Sequence, residues 1–449
     1  AGFKEEDEMA LLRRRSRSHH VATAVVATLA LAGAGLVAVR STSHPLSQSI
    51  TTVNTRGSTF AGRLARTPQR FLRSKNPGLA TKASCDGGAH LSAEAKSELK
   101  RVADYIATPG KGITACDEGP GTIGSRFEAV GVENTEENRR KYRQMLFETP
   151  DATEYLSAAI LDPETLYQKS DTSGKLFPEA LKDMGVLPGV KPHLKVYTLP
   201  GTNGETVMQG LDSLAVRLRE YKQAGAVFAK WRSPLVIGEG QPSDLAIQAN
   251  MNDLARYALI CQDEGLVPIV EPDVSLKGEH DLETAIIANI KIQSALYKAM
   301  LDHGVYMEGS ILKVNMVNPG KSCPTPYSVE QIADANVHVL QQCMPVAIPG
   351  VNYLSGGQNL GDAASRLSAI NKVKGKCPWN LSFSWSAALQ MPLFELCRGK
   401  SEIPLAEMSE LYAKELKIAA NAANGIHQPD GTDGAHVPPG AKLEAVAAV

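Results

Sequence analysis

Several short apolar runs carry, late in each run, a group that can do chemistry. Asp117 follows "GITAC", Lys230 and Arg232 lie in "AVFAKWR", and Glu271 and Asp273 lie in "LVPIVEPD". Lys313 lies in "SILKVNM", Ser355 in "GVNYLSGG" and Ser384 in "NLSFSWS". Two lysines and two carboxylates converging on one place suit imine chemistry. An amine attacks only when neutral, and desolvation or a neighbouring ammonium lowers a lysine's pKa. A neutral Lys313 can add to a ketone and form an iminium. The iminium is an electron sink, so a carbon–carbon bond one atom further out can break. Acids are then needed, one to move protons during dehydration and one to take the hydroxyl proton as the bond cleaves. The competing reading of Lys313 and Glu271 is a buried structural ion pair, costly to desolvate and often of little net stability. No His–Glu–His spacing or paired-cysteine pattern suggests a metal, and no cofactor is expected.

Such groups need elements that bring them together. The stretch "EGSILKVNMVNPG" at 308–320 reads as a strand stopped by Asn318-Pro319-Gly320. Side chains alternate along a strand, so Leu312, Val314 and Met316 share one face while Ile311, Lys313 and Asn315 share the other. Eight runs of this kind occur: 112–118, 157–163, 193–199, 226–232, 266–273, 310–316, 350–357 and 380–386. Helical patterns such as "TEENRRKYRQMLF" and "DLAIQANMNDLARYALICQDEG" lie between them, the second ending at Gly265. Eight strands alternating with helices predict an α/β fold, a closed parallel (β/α)8 or TIM barrel with a single catalytic domain over 86–425. An open doubly wound sheet is the alternative, but no glycine-rich phosphate loop follows any run. In a barrel, the rim at the C-terminal ends of the strands carries the chemistry, which fits the late polar residues.

The chain has 449 residues, 43% hydrophobic and 21% charged, enough for a sizeable core. Its net charge of −1 hides an asymmetry: residues 1–8 carry −3, residues 9–85 carry ten Arg, two Lys and no acid, and the remainder carries −10. An acidic folded part argues against nucleic acid as a partner. The seven cysteines form no CxxC pair and read as reduced, mostly buried thiols. From Met9, "MALLRRRSRSHH" and the apolar run at 21–39 have a signal-peptide layout over 9–40. The stretch 41–85, rich in Ser, Thr and Arg, has transit-peptide composition. Together they predict a bipartite leader over 1–85 for a plastid (chloroplast) bounded by extra membranes, with membrane contact only through the leader. The alternatives are a disordered basic tail or an anchor on a secreted or organelle-bound enzyme. Residues 426–449, rich in Gly, Pro and Ala, are expected to be a flexible tail.

The motifs "GKGITACDE", "ENTEENRRKYRQ", "ETLYQKS", "GTNGET", "FAKWR", "VPIVEP", "YMEGSILKVNMV", "YLSGGQ" and "LSFSW" strongly resemble class I fructose-bisphosphate aldolases, over roughly 95–425. The resemblance implies a metal-independent barrel enzyme acting on phosphorylated sugars, usually a homotetramer. It implies that Lys313 forms the Schiff base and that Glu271 is the general acid/base of dehydration, with Asp273 beside it. Asp117 would take the hydroxyl proton next to the breaking bond, and Lys230 would hold charge beside the imine. Lys191, Arg232 and Arg126 match one phosphate site. Ser355 with Gly356 and Gly357 matches the other, where amides and a hydroxyl suit an anion, and Ser384 belongs to the binding surface.

This sequence also departs from the family's pattern. Asp273 stands where a second Glu is usual, Ser125 where a lysine is usual, Gly119 where a serine is usual and Val314 where a proline is usual. "SWSAAL" replaces "SYGRAL", putting Ala387 in place of an arginine, and the printed tail "KLEAVAAV" lacks the terminal tyrosine of many members. A lost charge–phosphate contact is worth about 1.5–3 kcal/mol. Three readings follow: a plastid aldolase of glycolysis, gluconeogenesis or the Calvin cycle, the same mechanism on a less phosphorylated ketose, and a non-catalytic scaffold that keeps the fold.

Overall fold

The structure, a computed structural model, describes residues 87–429 and 433–438. The leader expected over 1–85 lies outside the described residues. Among the described residues there are ten strands: β1 (Gly112–Cys116), β2 (Leu156–Leu161), β3 (Leu187–Val190), β4 (Val196–Thr198), β5 (Thr206–Met208), β6 (Phe228–Leu235), β7 (Val267–Val274), β8 (Ile311–Asn315), β9 (Gly350–Leu354) and β10 (Asn380–Trp385). Eight of them close a parallel barrel in the order β1-β10-β9-β8-β7-β6-β3-β2. This is the (β/α)8 barrel the sequence predicts.

The third strand is not where the sequence placed it. The run 193–199 is not a barrel strand: its centre, β4, pairs antiparallel with β5 in a separate hairpin outside the barrel. The barrel strand is β3, "LPGV", which pairs with β2 and β6. Pro188 and Gly189 disguise it, because both residues normally argue against a strand interior. Gly189 is needed there, since a Cβ would come within 2.2 Å of the Phe228 ring.

Alternation along the strands sorts the barrel interior into two levels. The lower level is apolar: Ile113, Ala115, Ile160, Phe228, Ile269 and Ile311 form one buried cluster, and the helix Ala93–Ile106 plugs it from below through Leu99, Val102 and Ile106. Two residues further along each strand the same face turns polar, giving Asp117 after Ala115, Lys230 after Phe228, Glu271 after Ile269 and Lys313 after Ile311. The opposite faces, with Trp231, Val270, Leu312 and Val314, pack outward against the helix layer.

Local signals fix the helix ends. Ser243 caps Asp244–Asp263 by accepting from Ala246 N, and Gly265 then turns the chain with φ +73°. Thr135 caps Glu136–Glu148, whose first turn carries Glu136 and Glu137. Each such cap is worth about 1 kcal/mol. Among the described residues no helix is long and apolar enough to cross a membrane.

Part of the stretch read as a flexible tail packs on the barrel. His436 is buried, exchanges backbone hydrogen bonds with Tyr327 and places Nε2 2.9 Å from Cys323 O.

Candidate active site

Four of the residues singled out in the sequence meet at the C-terminal mouth of the barrel. Lys230 Nζ forms an ion pair with Asp117 Oδ2 at 2.7 Å. It also lies 3.1 Å from Glu271 Oε2, close enough for a strong charge contact but outside hydrogen-bond alignment. Lys313 Nζ lies 3.7 Å from the same Glu271 oxygen. Lys230, Glu271 and Lys313 are each at most 4% exposed. Two carboxylates thus share two ammonium groups in a space with little solvent.

The electrostatics follow from that crowding. Burial pushes the Lys313 pKa down; Glu271 opposes this and Lys230 reinforces it. The balance leaves Lys313 below an ordinary lysine, so more of it is neutral and nucleophilic. Burial also opposes the charge on Asp117, but Lys230, Lys313 and Lys191 together hold its carboxyl well below the usual range. Asp117 is therefore an ionised acceptor. For Lys230, burial acts downward, yet Asp117 and Glu271 raise it above an ordinary lysine, and it stays an ammonium. One neutralisable lysine, one fixed cation and two carboxylates are the set that imine formation and proton transfer require.

A second pair flanks this group. Arg232 Nε donates to Asp273 Oδ2 at 2.6 Å. Burial raises the Asp273 pKa, with Arg232 opposing. Lys191, just past β3, donates to Asp117 O at 2.6 Å and to Asp162 Oδ2 at 2.9 Å. Asp162 follows β2 and caps the short helix Pro163–Leu166 through Glu164 N. The sequence reading passed it over, although "SAAILDP" ends in a carboxylate in the same manner as its neighbours.

Arg126, from the helix Pro120–Glu128, is not free at the mouth. Its guanidinium pairs with Glu118 Oε1 at 2.9 Å and lies 3.4 Å from Ser386 Oγ and Gln390 Oε1. Ser386 Oγ makes a very short contact with Glu118 Oε1. Arg143, buried, donates to the carbonyls of Cys116 and Glu118, which fixes the turn that presents Asp117. Glu118, Arg143, Ser386 and Gln390 were not among the candidates. Glu118 was legible as the neighbour of Asp117, whereas the others are separated from it by 25 residues or more.

The loop after β9 holds Ser355, Gly356 and Gly357. Both glycines have positive φ, 59° and 76°, which only glycine adopts without strain. Such backbone can turn N–H groups toward an anion. Gly357 O accepts from Lys321 Nζ at 3.1 Å. On β10, Ser384 Oγ is buried without a protein partner, a hydroxyl available to a ligand.

His193, two residues beyond Lys191, was also missed. Its ring packs edge-on against Trp231 at 5.8 Å. Burial, then Lys230, pushes its pKa down to about 2, so it is a neutral imidazole at any working pH. No cluster of His, Cys, Asp and Glu among the described residues is placed to hold a metal. A surface cavity of about 770 Å³ between Lys141, Glu148, Lys400 and Ser409 is lined by none of these groups.

Comparison with known proteins agrees with this geometry. A family model described as "Fructose-bisphosphate aldolase class-I" matches residues 98–438. The chain is 51% identical over 305 residues to "Fructose-bisphosphate aldolase 4, cytosolic" of Arabidopsis thaliana, covering 68% of this chain and 77% of that protein. It is 48% identical over 347 residues to the cytoplasmic isozyme of Spinacia oleracea, covering 76% and 96%. A crystal structure of fructose-bisphosphate aldolase from Plasmodium falciparum, in complex with TRAP and a small-molecule inhibitor, superposes with a TM-score of 0.73. It is 39% identical and covers 76% of this chain and 98% of that one.

Proposed function

The chain belongs to the class I fructose-bisphosphate aldolase family, and on that premise we propose how its residues divide the reaction. The activity is the reversible cleavage of fructose 1,6-bisphosphate to glycerone phosphate and glyceraldehyde 3-phosphate, as in glycolysis and gluconeogenesis. The observation that carries the assignment of roles is the contact of Glu271 Oε2 with both Lys230 and Lys313 inside the barrel mouth.

Neutral Lys313 adds to the ketone carbonyl and gives a carbinolamine. Glu271, 3.7 Å from the lysine nitrogen, takes the proton that Lys313 sheds on becoming neutral; the added nitrogen passes a second proton to the carbonyl oxygen, and Glu271 then delivers the first to that hydroxyl, so water leaves as the iminium forms. Asp117 takes the proton of the hydroxyl beside the scissile bond. That oxygen's electrons become the new carbonyl, and the carbon–carbon bond pair flows into the iminium to give an enamine. Protonation of the enamine carbon and hydrolysis of the imine release the second product and restore the lysine. Lys230 holds Asp117 ionised and favours the neutral form of Lys313. Arg232 and Asp273 orient groups beside the imine. Lys191, Arg232 and Arg126 bind one phosphate; Ser355, Gly356, Gly357 and Ser384 serve the other.

A second reading, the same chemistry on a less phosphorylated ketose, draws support from Ala387 and Ser125, and from the engagement of Arg126 by Glu118. Turnover of fructose 1-phosphate against the bisphosphate separates the two. The bisphosphate reading requires a higher kcat/KM for the bisphosphate; the reverse order would favour the second. A scaffold without catalysis is excluded by retro-aldol activity that disappears in Lys313→Met and is supported if a folded wild-type chain shows none.

The composition of residues 9–85 supports plastid delivery, although the related plant enzymes are named cytosolic and cytoplasmic. In a plastid the enzyme would also serve the Calvin cycle. A fluorescent reporter fused behind residues 9–85 tests this, and cytosolic fluorescence would overturn it. We also propose a homo-oligomer, of tetrameric size. The hairpin β4–β5 presents exposed Leu194, Val196 and Tyr197, with exposed Leu245 beside its turn at Gly201, an apolar patch suited to a second copy.

A further inference from the structure

Behind the loop Ser355–Gly357 lies a buried arginine that the reaction as described does not use. Arg366 sits on the helix Leu360–Val373 and is 7% exposed. Its guanidinium donates to three neutral acceptors: Gln358 Oε1 at 2.6 Å, Gly434 O at 2.5 Å and Ala435 O at 3.3 Å. Two of the three come from the C-terminal segment 433–438, some seventy residues on in the chain. No carboxylate among the described residues pairs with it directly. Asp362, one turn earlier, opposes the effect of burial on its charge and is itself occupied, accepting from Gly434 N at 2.9 Å.

Gln358 passes the connection forward. With its carbonyl oxygen taken by Arg366, its amide nitrogen must donate, and it donates to Ser355 O at 2.8 Å. Gln358 N also donates to Ser355 O, at 3.0 Å. The same amide group reaches Met316 Sδ, just past the strand that carries Lys313. A single path therefore runs from Gly434 and Ala435 through Arg366 and Gln358 to the backbone of Ser355. The segment is anchored independently by His436, which pairs with Tyr327 and Cys323.

We infer that Arg366 is a positioning residue for the anion-binding loop Ser355–Gly357, and that the C-terminal segment 433–438 holds it there. Two physical effects act together. The fork of the guanidinium fixes the orientation of the Gln358 amide, and so the distance between Ser355 and the two glycines. Its buried positive charge, offset only by neutral acceptors, also biases the loop toward a bound dianion. This gives a chain that carries Ala387 in place of an arginine a cation one layer behind the loop. The inference rests on the reading that Ser355–Gly357 binds a substrate phosphate.

The test compares the full chain with Arg366→Met, Arg366→Lys, Ser355→Ala and a chain ending at Gln428. It measures kcat and KM for fructose 1,6-bisphosphate and the melting temperature of each. Arg366→Met is expected to raise KM about tenfold, with kcat within about twofold. Arg366→Lys, which keeps the charge but loses the fork, recovers part of that loss. The shortened chain raises KM by a similar factor, and adding Arg366→Met to it raises KM no further, because both cut one path. If Arg366→Met does not fold, the shortened chain carries the same comparison. An unchanged KM in folded Arg366→Met or in the shortened chain, while Ser355→Ala raises KM, overturns the inference. So does a loss confined to kcat. An unchanged KM in Ser355→Ala overturns the loop reading itself.

Discussion

Replacing Lys230 by Met probes the balance of charge at the barrel mouth. Methionine nearly matches the length of lysine and leaves little cavity, so the change is mainly the loss of one ammonium. That ammonium lies 2.7 Å from Asp117 and 3.1 Å from Glu271, with Lys230 and Glu271 buried and the Asp117 carboxylate largely so. At an effective dielectric near 20 the two attractions are about 6 and about 5 kcal/mol, before desolvation offsets most of the gain. Removing one partner of a buried pair costs about 3–5 kcal/mol, because a charge is left without compensation. A loss of that size lowers Tm by roughly 5–10 °C in a domain of a few hundred residues.

The loss should depend on pH in a stated direction. In the wild type Asp117 is held well below the usual carboxylate range, chiefly by Lys230 against burial. Its contribution to stability is therefore full above the unfolded pKa near 3.9 and is lost only at much lower pH. Without Lys230, burial dominates and raises the Asp117 pKa above its unfolded value. The folded variant then binds a proton that the unfolded chain does not, and it gains stability as pH falls. Thermal melts between pH 8 and pH 5 should show the gap between wild type and Lys230→Met narrowing toward pH 5. A variant as stable as the wild type, or a gap that widens on acidification, refutes the reasoning.

Three further outcomes follow from the same geometry. Because the Lys313 pKa is lowered by burial and by Lys230 against Glu271, the rate of imine formation should rise with pH as Lys313 loses its proton, and Lys230→Met should move that rise to higher pH; a pH profile that does not move contradicts the coupling. Ala387→Arg should lower KM for the bisphosphate by about tenfold if the family's missing contact is simply absent here; no change would mean that Arg126, beside Ser386, already supplies it. Tyr197→Asp should shift the chain to a smaller species in light scattering, with kcat little altered, and an unchanged mass would remove the hairpin from the interface.

Much of this was legible in the sequence because it is local or periodic. Strand alternation alone placed Lys313 on the inner face with Ile311, and the interior cluster and the contact with Glu271 agree. The helices Glu136–Glu148 and Asp244–Asp263 have caps written within a few residues of their ends. The third barrel strand was misplaced because its proline and glycine serve a packing need, the Phe228 ring, that no short window of sequence contains. The β4–β5 ribbon took its place because Val196 and Tyr197 have strand propensity without being buried. The supporting groups were hidden by distance along the chain. Ser386 meets Glu118 across 268 residues and Arg366 meets Gly434 across 68, so neither contact leaves a spacing to read.

The central claim is that Lys313 becomes covalently bonded to the substrate. Incubating residues 86–449 with fructose 1,6-bisphosphate, reducing with borohydride, digesting and reading the peptide around Lys313 by mass spectrometry tests it most directly. The account predicts a secondary-amine adduct of the triose phosphate or hexose bisphosphate on Lys313, absent in Lys313→Met. A folded protein that yields no adduct with any ketose, or one that carries it on Lys230 instead, would contradict the account.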